Sequence, residues 1–422
     1  MTGYLDNAAA LDHLADLAAF VEASPSSYHA VAEGARRLRA ASFTELAEVD
    51  DWSTGAGRHF VIRDGAIIAW ISPVSAGPTT PFRIIGAHSD SPGFVLKPNP
   101  VTVAQGWVQA GVEVYGGPLL NSWLDRELEF AGRLVFEDGT TSLVRTGPVL
   151  RFPQLAVHLD RTVNSDGLVL NPQVHMNPVI GVGDPFDLLS RLAAFAGRPD
   201  DRIAGYDISV ADTAKPAIFG IDGELFASGR LDNLGSVHAG LTALIDAEPS
   251  DAIAVFAAFD HEEVGSASTS GAAGSFLEDV LARLSSEPIA RARAFAASWC
   301  LSADAGHAVH PNYPERHDPA NRPIVNGGPL LKINANQRYA TDALGAAEWA
   351  RACTRAGVRF QEFVSNNAVP CGSTIGPITA TRLGIRTIDV GIPLLSMHSA
   401  RELCGVADPH SLTLAIGSFL TV

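Results

Sequence analysis

Several apolar runs in this chain stop abruptly at residues that can bind metals or move protons. Phe256-Ala-Ala-Phe259 ends at Asp260-His-Glu-Glu263, and Phe82-Arg-Ile-Ile-Gly-Ala87 ends at His88-Ser-Asp90. Ala297-Ser-Trp-Cys-Leu-Ser-Ala303 delivers Asp304, and Ile385-Arg-Thr-Ile-Asp-Val-Gly391 leads towards His398. A further group, Arg230-Leu-Asp-Asn233, opens a helix-like segment. Open α/β sheets place their sites outside the carboxyl ends of the strands, so these residues can meet although the chain scatters them widely. Histidine, aspartate and glutamate in this mixture suit a pair of divalent metals.

An isolated Glu-Glu is ordinarily a solvated charge pair at a strand end. Here Asp260 precedes the pair and the small Gly265-Ser-Ala-Ser268 follows it, which crowds carboxylates into one tight loop. Packed carboxylates need a cation to offset their repulsion. Neighbouring residues in such a loop point different ways, so one glutamate can bind metal while the other acts as general base. Any single one of the 13 histidines is ordinarily structural. His88 and His398 stand out because each follows an apolar run, and Asp90 is placed to orient the His88 ring.

The elements that must position these groups can be read from periodicity. Leu11, Leu14, Leu17, Phe20 and Val21 recur at helical spacing, which predicts a helix near 8 to 23 ended by Ser24-Pro25. A second helix is expected over Tyr28 to Ala40, and Asp64-Gly65 between two apolar runs predicts a hairpin. Between Pro92 and about Gly220, short β-like runs such as Leu128-Glu-Phe-Ala-Gly-Arg-Leu-Val-Phe136 alternate with turns, which predicts an inserted β-rich domain over 92–222. Strands and helices then alternate. The fold expected is α/β: a mixed, mostly parallel sheet with helices on both faces, built from 1–91 and 223–422. A long loop over His310–Pro323 and a last helix from Asp408-Pro409 complete the pattern.

Composition narrows the class. A chain of 422 residues, 46% hydrophobic, can bury a large core. Apolar stretches fall short of the ~20 residues a membrane helix needs, and Met1 to Asn7 lacks the basic start of a leader, so no membrane partner and a cytoplasmic address are expected. Cys300, Cys353, Cys371 and Cys404 lack C-x-x-C spacing and read as reduced thiols. A net charge of −16 argues against nucleic acid.

The motifs together resemble those of the aspartyl aminopeptidase family of dizinc exopeptidases. The series runs His88-Ser-Asp-Ser-Pro92, Arg230-Leu-Asp-Asn233, Asp260-His-Glu-Glu-Val-Gly-Ser266, Ser302-Ala-Asp-Ala-Gly-His-Ala-Val-His310, Asn336-Gln-Arg-Tyr-Ala-Thr341, Cys371-Gly-Ser-Thr-Ile-Gly-Pro377 and Met397-His-Ser-Ala-Arg-Glu402. It spans most of the chain in order. The resemblance implies two divalent metals per subunit, zinc in the first place, with manganese or cobalt tolerating the same ligands. Asp232 would bridge them, His88 and Asp304 would complete one site, and Glu263 and His398 the other. Glu262 would be the general base and Asp90 the carboxylate behind His88.

The same resemblance implies the substrate. His307 would contact the reacting carbonyl, and Lys332 would pair with the acidic side chain of an N-terminal aspartate or glutamate. The inserted domain would be a dimerisation domain, with His158 reaching a neighbouring active site in a homododecamer built from dimers. The implied activity is removal of N-terminal Asp or Glu from peptides by a water activated between the two metals. A broader or glutamyl aminopeptidase, or a deacylase with the same ligands, is the alternative within this chemistry. An inactive metal-stabilised scaffold is the alternative outside it.

Overall fold

The structure is a computed structural model that describes residues 8–52, 55–248 and 250–421. Met1 to Asn7, the stretch without a basic leader start, lie outside the described residues. The chain divides into two compact units. The first comprises Met1–Asp90, Pro216–Met397 and Glu402–Val422, and the second Ser91–Lys215 with His398–Arg401.

The first unit is built on a nine-stranded sheet. In chain order its strands are β1 (Thr44–Glu45), β2 (Gly57–Arg63), β3 (Ala66–Ser72), β4 (Phe82–His88), β5 (Ile253–Phe259), β6 (Trp299–Ala303), β7 (Leu330–Ile333), β8 (Gln361–Val364) and β9 (Arg386–Gly391). Their order across the sheet is β1-β2-β3-β5-β4-β6-β9-β7-β8. The central pairs β5·β4, β4·β6 and β6·β9 are parallel, whereas β3 runs antiparallel to β5 and β7 antiparallel to β9. Parallel strands buried on both faces must be apolar throughout, and every residue of Ile253-Ala-Val-Phe-Ala-Ala-Phe259 is indeed buried. Alternate side chains serve different layers. Phe256 and Ile85 join one buried cluster with α1 (Ala8–Ala23) and α3 (Leu231–Ile245), while Val255 and Ile84 join another with Phe276 and Leu281. Helices therefore cover both faces.

Local chemistry sets the edges of this unit. Ser26 caps α2 (Ser27–Ala40) through its hydroxyl and the His29 amide. The expected hairpin joins β2 to β3 with Arg63 opposite Ala66. Asp64, not the glycine, takes the left-handed φ of 54°. Gly65 is required for space, because a Cβ there would collide with the Asp260 carboxylate and the Ser27 hydroxyl.

The second unit carries a six-stranded antiparallel sheet in the order Thr141–Arg145, Leu128–Phe136, Ile203–Asp212, Gly93–Ala104, Trp107–Tyr115, Val179–Val182. Phe94, Phe130, Phe136 and Phe152 fill its core, with Leu192 from the helix Leu188–Phe195 packed among them. His398 to Arg401 return to this unit: Leu119 N–H donates to the His398 carbonyl, and Ala400 N–H to the Ser122 hydroxyl.

In the first unit, three histidines meet where α1, α3 and α4 (Asp408–Leu420) pack. The rings of His13 and His238 lie 4.8 Å apart, and those of His13 and His410 5.4 Å. Buried His238 binds Asp16 through Nε2 at 2.7 Å, and Arg37 of α2 holds the same carboxylate at 2.6 Å. Thr413 lies 3.2 Å from His13 Nε2. Burial, with His238 and His410 adding, lowers the His13 pKa to about 3. Below pH 6.5 the unfolded chain binds a proton that folded His13 refuses, so its contribution is present above 6.5 and lost as pH falls. At pH 5.5 the loss is about 1 kcal/mol. Thermal melting of His13→Gln is expected to fall less between pH 7 and pH 5.5 than that of the wild type; parallel curves would contradict this.

Candidate metal centre

The site is assembled at the carboxyl ends of the central strands of the first unit. β4 ends in His88, β5 runs into Asp260, and β6 runs into Asp304, whose N–H donates to the Val390 carbonyl of β9. Asp232 enters from the start of α3, where residues 232 and 233 leave helical geometry (φ −81°, ψ 102° and φ −123°, ψ 22°). The departure turns Asp232 towards the strand ends, and Asn233 fixes it by donating to the Ala303 carbonyl at 2.9 Å.

His88 is the hub. Its Nε2 lies 3.3 Å from Asp232 Oδ1, 3.5 Å from Asp304 Oδ1 and 4.0 Å from Glu262 Oε2. One ligand atom from each of His88, Asp232 and Asp304 falls within a 4.8 Å cluster, and His88, Glu262 and Glu263 form another. Nδ1 sits 3.1 Å from the Asp90 carbonyl and 3.3 Å from its carboxylate, so a proton on Nδ1 would be held there while Nε2 faces Asp232 and Asp304. Burial opposes charging of this ring, yet Asp232, Asp304 and Asp90 hold its pKa well above the usual value. That is the response of a buried anionic pocket to any available cation.

The Asp260 to Gly265 loop shows how the two glutamates are separated. His261 takes a left-handed φ of 63° and starts a single 3₁₀ turn, Glu262–Val264. The first two amides of the turn donate to Asp90: Glu262 N–H to Oδ1 and Glu263 N–H to Oδ2, each at 3.1 Å. Asp90 is thus more than a partner for His88, since its carboxylate cradles the turn that carries Glu262 and Glu263. Asp260 is buried, pushed up to about 6 by that burial and by Asp90, and held by Ser27 at 3.1 Å. Burial raises Glu262 to about 7, with Asp304, Asp232 and Asp90 adding to the rise against the opposing pull of His88. His261 contacts Ser268 at 2.9 Å and serves the loop.

Lys332, on β7, is buried and lies 3.7 Å from Asp304, with its ammonium 5.3 Å from the Tyr339 ring. Leu330, Tyr339 and Phe363 pack around this region, with Cys371 against them. His307 ends the short strand Gly306–His307, is exposed, and has its ring 6.1 Å from that of Phe363. The other two expected residues belong to the second unit. His398 has Nδ1 3.0 Å from the Gly117 carbonyl. His158 lies exposed in a turn.

A buried cluster of carboxylates and an imidazole, with no comparable concentration of positive charge among the described residues, has the donor chemistry of a zinc site. The chain matches the family model described as aminopeptidase I zinc metalloprotease (M18) over residues 20–420. It belongs to the M18 family of zinc aminopeptidases. A probable M18 family aminopeptidase 2 of Streptomyces coelicolor is 54% identical over 422 residues, covering 97% of each chain. Its Mycobacterium leprae namesake is 43% identical, covering 96% of this chain and 98% of that one. Among solved structures, the Ape4 and Nbr1 complex contains a chain with TM-score 0.94 and 36% identity, covering 98% of this chain and 86% of that one. The Saccharomyces cerevisiae mApe1 dodecamer gives TM-score 0.85 and 30% identity over 97% and 96%.

The chain is therefore a metallo-aminopeptidase of the M18 family. The Asp90 cradle makes a graded expectation. Asp90→Asn keeps one oxygen for two amide donors and Asp90→Ala keeps none, so peptide hydrolysis should fall in that order, to about 10- to 100-fold for the alanine variant. Wild-type turnover in Asp90→Ala would show that the cradle does not matter.

Proposed function

We propose that this M18 enzyme removes N-terminal aspartate, and also glutamate, from peptides, using two divalent metals and Glu262 as general base. The observation that carries the specificity is Lys332: a buried cation placed 3.7 Å from Asp304, at the margin of the cluster. Buried lysines need a counter-charge. When Asp304 is committed to a metal, the carboxylate of an acidic substrate side chain can supply it. One such contact at ~4 Å is worth ~4 kcal/mol at an effective dielectric of ~20, before desolvation is subtracted. It would set a preference for acidic residues in a protein of net charge −16.

The metal ligands proposed are His88 and Asp304 for one ion and Glu263 and His398 for the other, with Asp232 shared. Zinc held by these residues would supply Lewis-acid polarisation of the scissile carbonyl and a more acidic water. Glu262, within the same cluster and raised by its surroundings, would take a proton from the attacking water and return it to the leaving amine. Asp90 holds Glu262 and Glu263 in register through their amides. His307 is proposed to bind the reacting carbonyl. The second unit is proposed to mediate dimerisation, and His158 to complete a neighbouring site. The dodecamer of the yeast relative supports a homo-oligomer of that kind. No helix among the described residues is long and apolar enough to cross a membrane, and we place the enzyme in the cytoplasm.

The specificity is tested with Asp-, Glu-, Leu- and Lys-nitroanilides on zinc-loaded wild type and Lys332→Met. The wild type should prefer Asp and Glu. Lys332→Met should lose about 30-fold or more on these, as truncation of a buried charge partner does, while Leu hydrolysis changes little. Equal loss on all substrates would remove the specificity role of Lys332.

A further inference from the structure

Glu402 closes the Met397-His-Ser-Ala-Arg-Glu402 motif and has no part in the mechanism above. It is a buried carboxylate at the start of the strand Glu402–Gly405, which pairs antiparallel with Leu225–Ser228 so that Ser228 lies opposite Glu402. That partner strand leads through Gly229 and Arg230 into α3. The ladder therefore sets Glu402 beside the segment that carries Asp232, and Glu402 Oε2 accepts the Asp232 N–H at 2.9 Å.

The contact answers a local deficit. The first amides of a helix have no acceptor within it. Arg230, at the cap position of α3, provides no side-chain cap and instead directs its guanidinium to the Ser24 and Val21 carbonyls. Asp232 and Asn233 depart from helical dihedrals, so the Asp232 amide points out of the helix and needs an acceptor from elsewhere. Asn233 is held on its side by the Ala303 carbonyl, one residue before Asp304. Glu402 and Ala303 thus clamp the two non-helical residues from two strands.

We propose that Glu402 is a positioning residue for the metal centre: by accepting the Asp232 amide it fixes the direction of the carboxylate that both metals would share. The inference rests on the metal-centre reading given above. Groups behind a metal ligand typically govern affinity by about 10- to 100-fold. A plain helix-capping role would instead lower stability and leave metal affinity alone.

The test is zinc affinity of chelator-stripped protein, measured by competition with a chromophoric chelator, beside thermal melting of the same metal-free samples. Glu402→Ala should bind zinc about 10- to 100-fold more weakly, beyond any modest fall in metal-free melting from the unpaired Asp232 amide. Glu402→Gln retains an acceptor oxygen and should stay within about fivefold of the wild type, a rescue that marks positioning. Unchanged zinc affinity in Glu402→Ala, with melting alone lowered, would overturn the proposal. Should the alanine variant not fold, Glu402→Asp withdraws the acceptor by one methylene and should weaken zinc by about tenfold; unchanged affinity there overturns it equally. A wild type that took up no zinc would instead overturn the metal-centre reading and this inference together.

Discussion

Mutual repulsion among carboxylates in a water-poor pocket is the constraint on which the rest of this enzyme depends. Asp90, Asp232, Asp260 and Asp304 are all buried around His88, with Glu262 and Glu263 partly so. Withdrawing such groups from water costs several kcal/mol each unless a cation or hydrogen bonds compensate. The structure distributes the compensation. Asp90 receives two amides, Asp260 a serine hydroxyl, and Asp304 the Lys332 ammonium, while Asp232 and Asp304 face the His88 imidazole. The fully buried strands beneath make the arrangement rigid, because β4, β5 and β6 are parallel neighbours whose ends cannot drift apart without breaking the sheet. The order of the cluster is therefore inherited from packing.

The strand ends are legible in the sequence because apolar runs that halt at charged residues mark where a buried sheet meets a site. His88, Glu262, Glu263 and Asp304 are readable in that way, and the 3.6-residue periods of α1 and α3 mark the covering helices. Less legible are features set by contacts distant in sequence. Nothing in Asp90 itself shows that it takes the amides of Glu262 and Glu263, since that depends on the left-handed turn at His261. Gly65 reads as a turn residue, yet it is constrained by Asp260 from another strand. The antiparallel placement of β3 and β7 within a largely parallel sheet is equally hidden, because strand direction follows from connections and not from the apolarity of the run.

Lys332 links the fold to the electrostatics of the cluster. As the third residue of a short strand it has the sequence context of an edge lysine, but its neighbours bury it against Asp304 and Tyr339. A cation there offsets the charge of Asp304 and, on the proposed reading, would anchor an acidic side chain. The antiparallel unit folds around its own sheet with a separate phenylalanine core.

The proposed division of labour between the adjacent residues Glu262 and Glu263 is the point most open to direct test. Turnover and zinc content measured together on Glu262→Gln decide it. The account predicts a folded variant with wild-type zinc and peptide hydrolysis reduced by about 10²- to 10⁴-fold, the usual cost of losing a general base. Wild-type hydrolysis in that variant, or loss of zinc in step with activity, would contradict it.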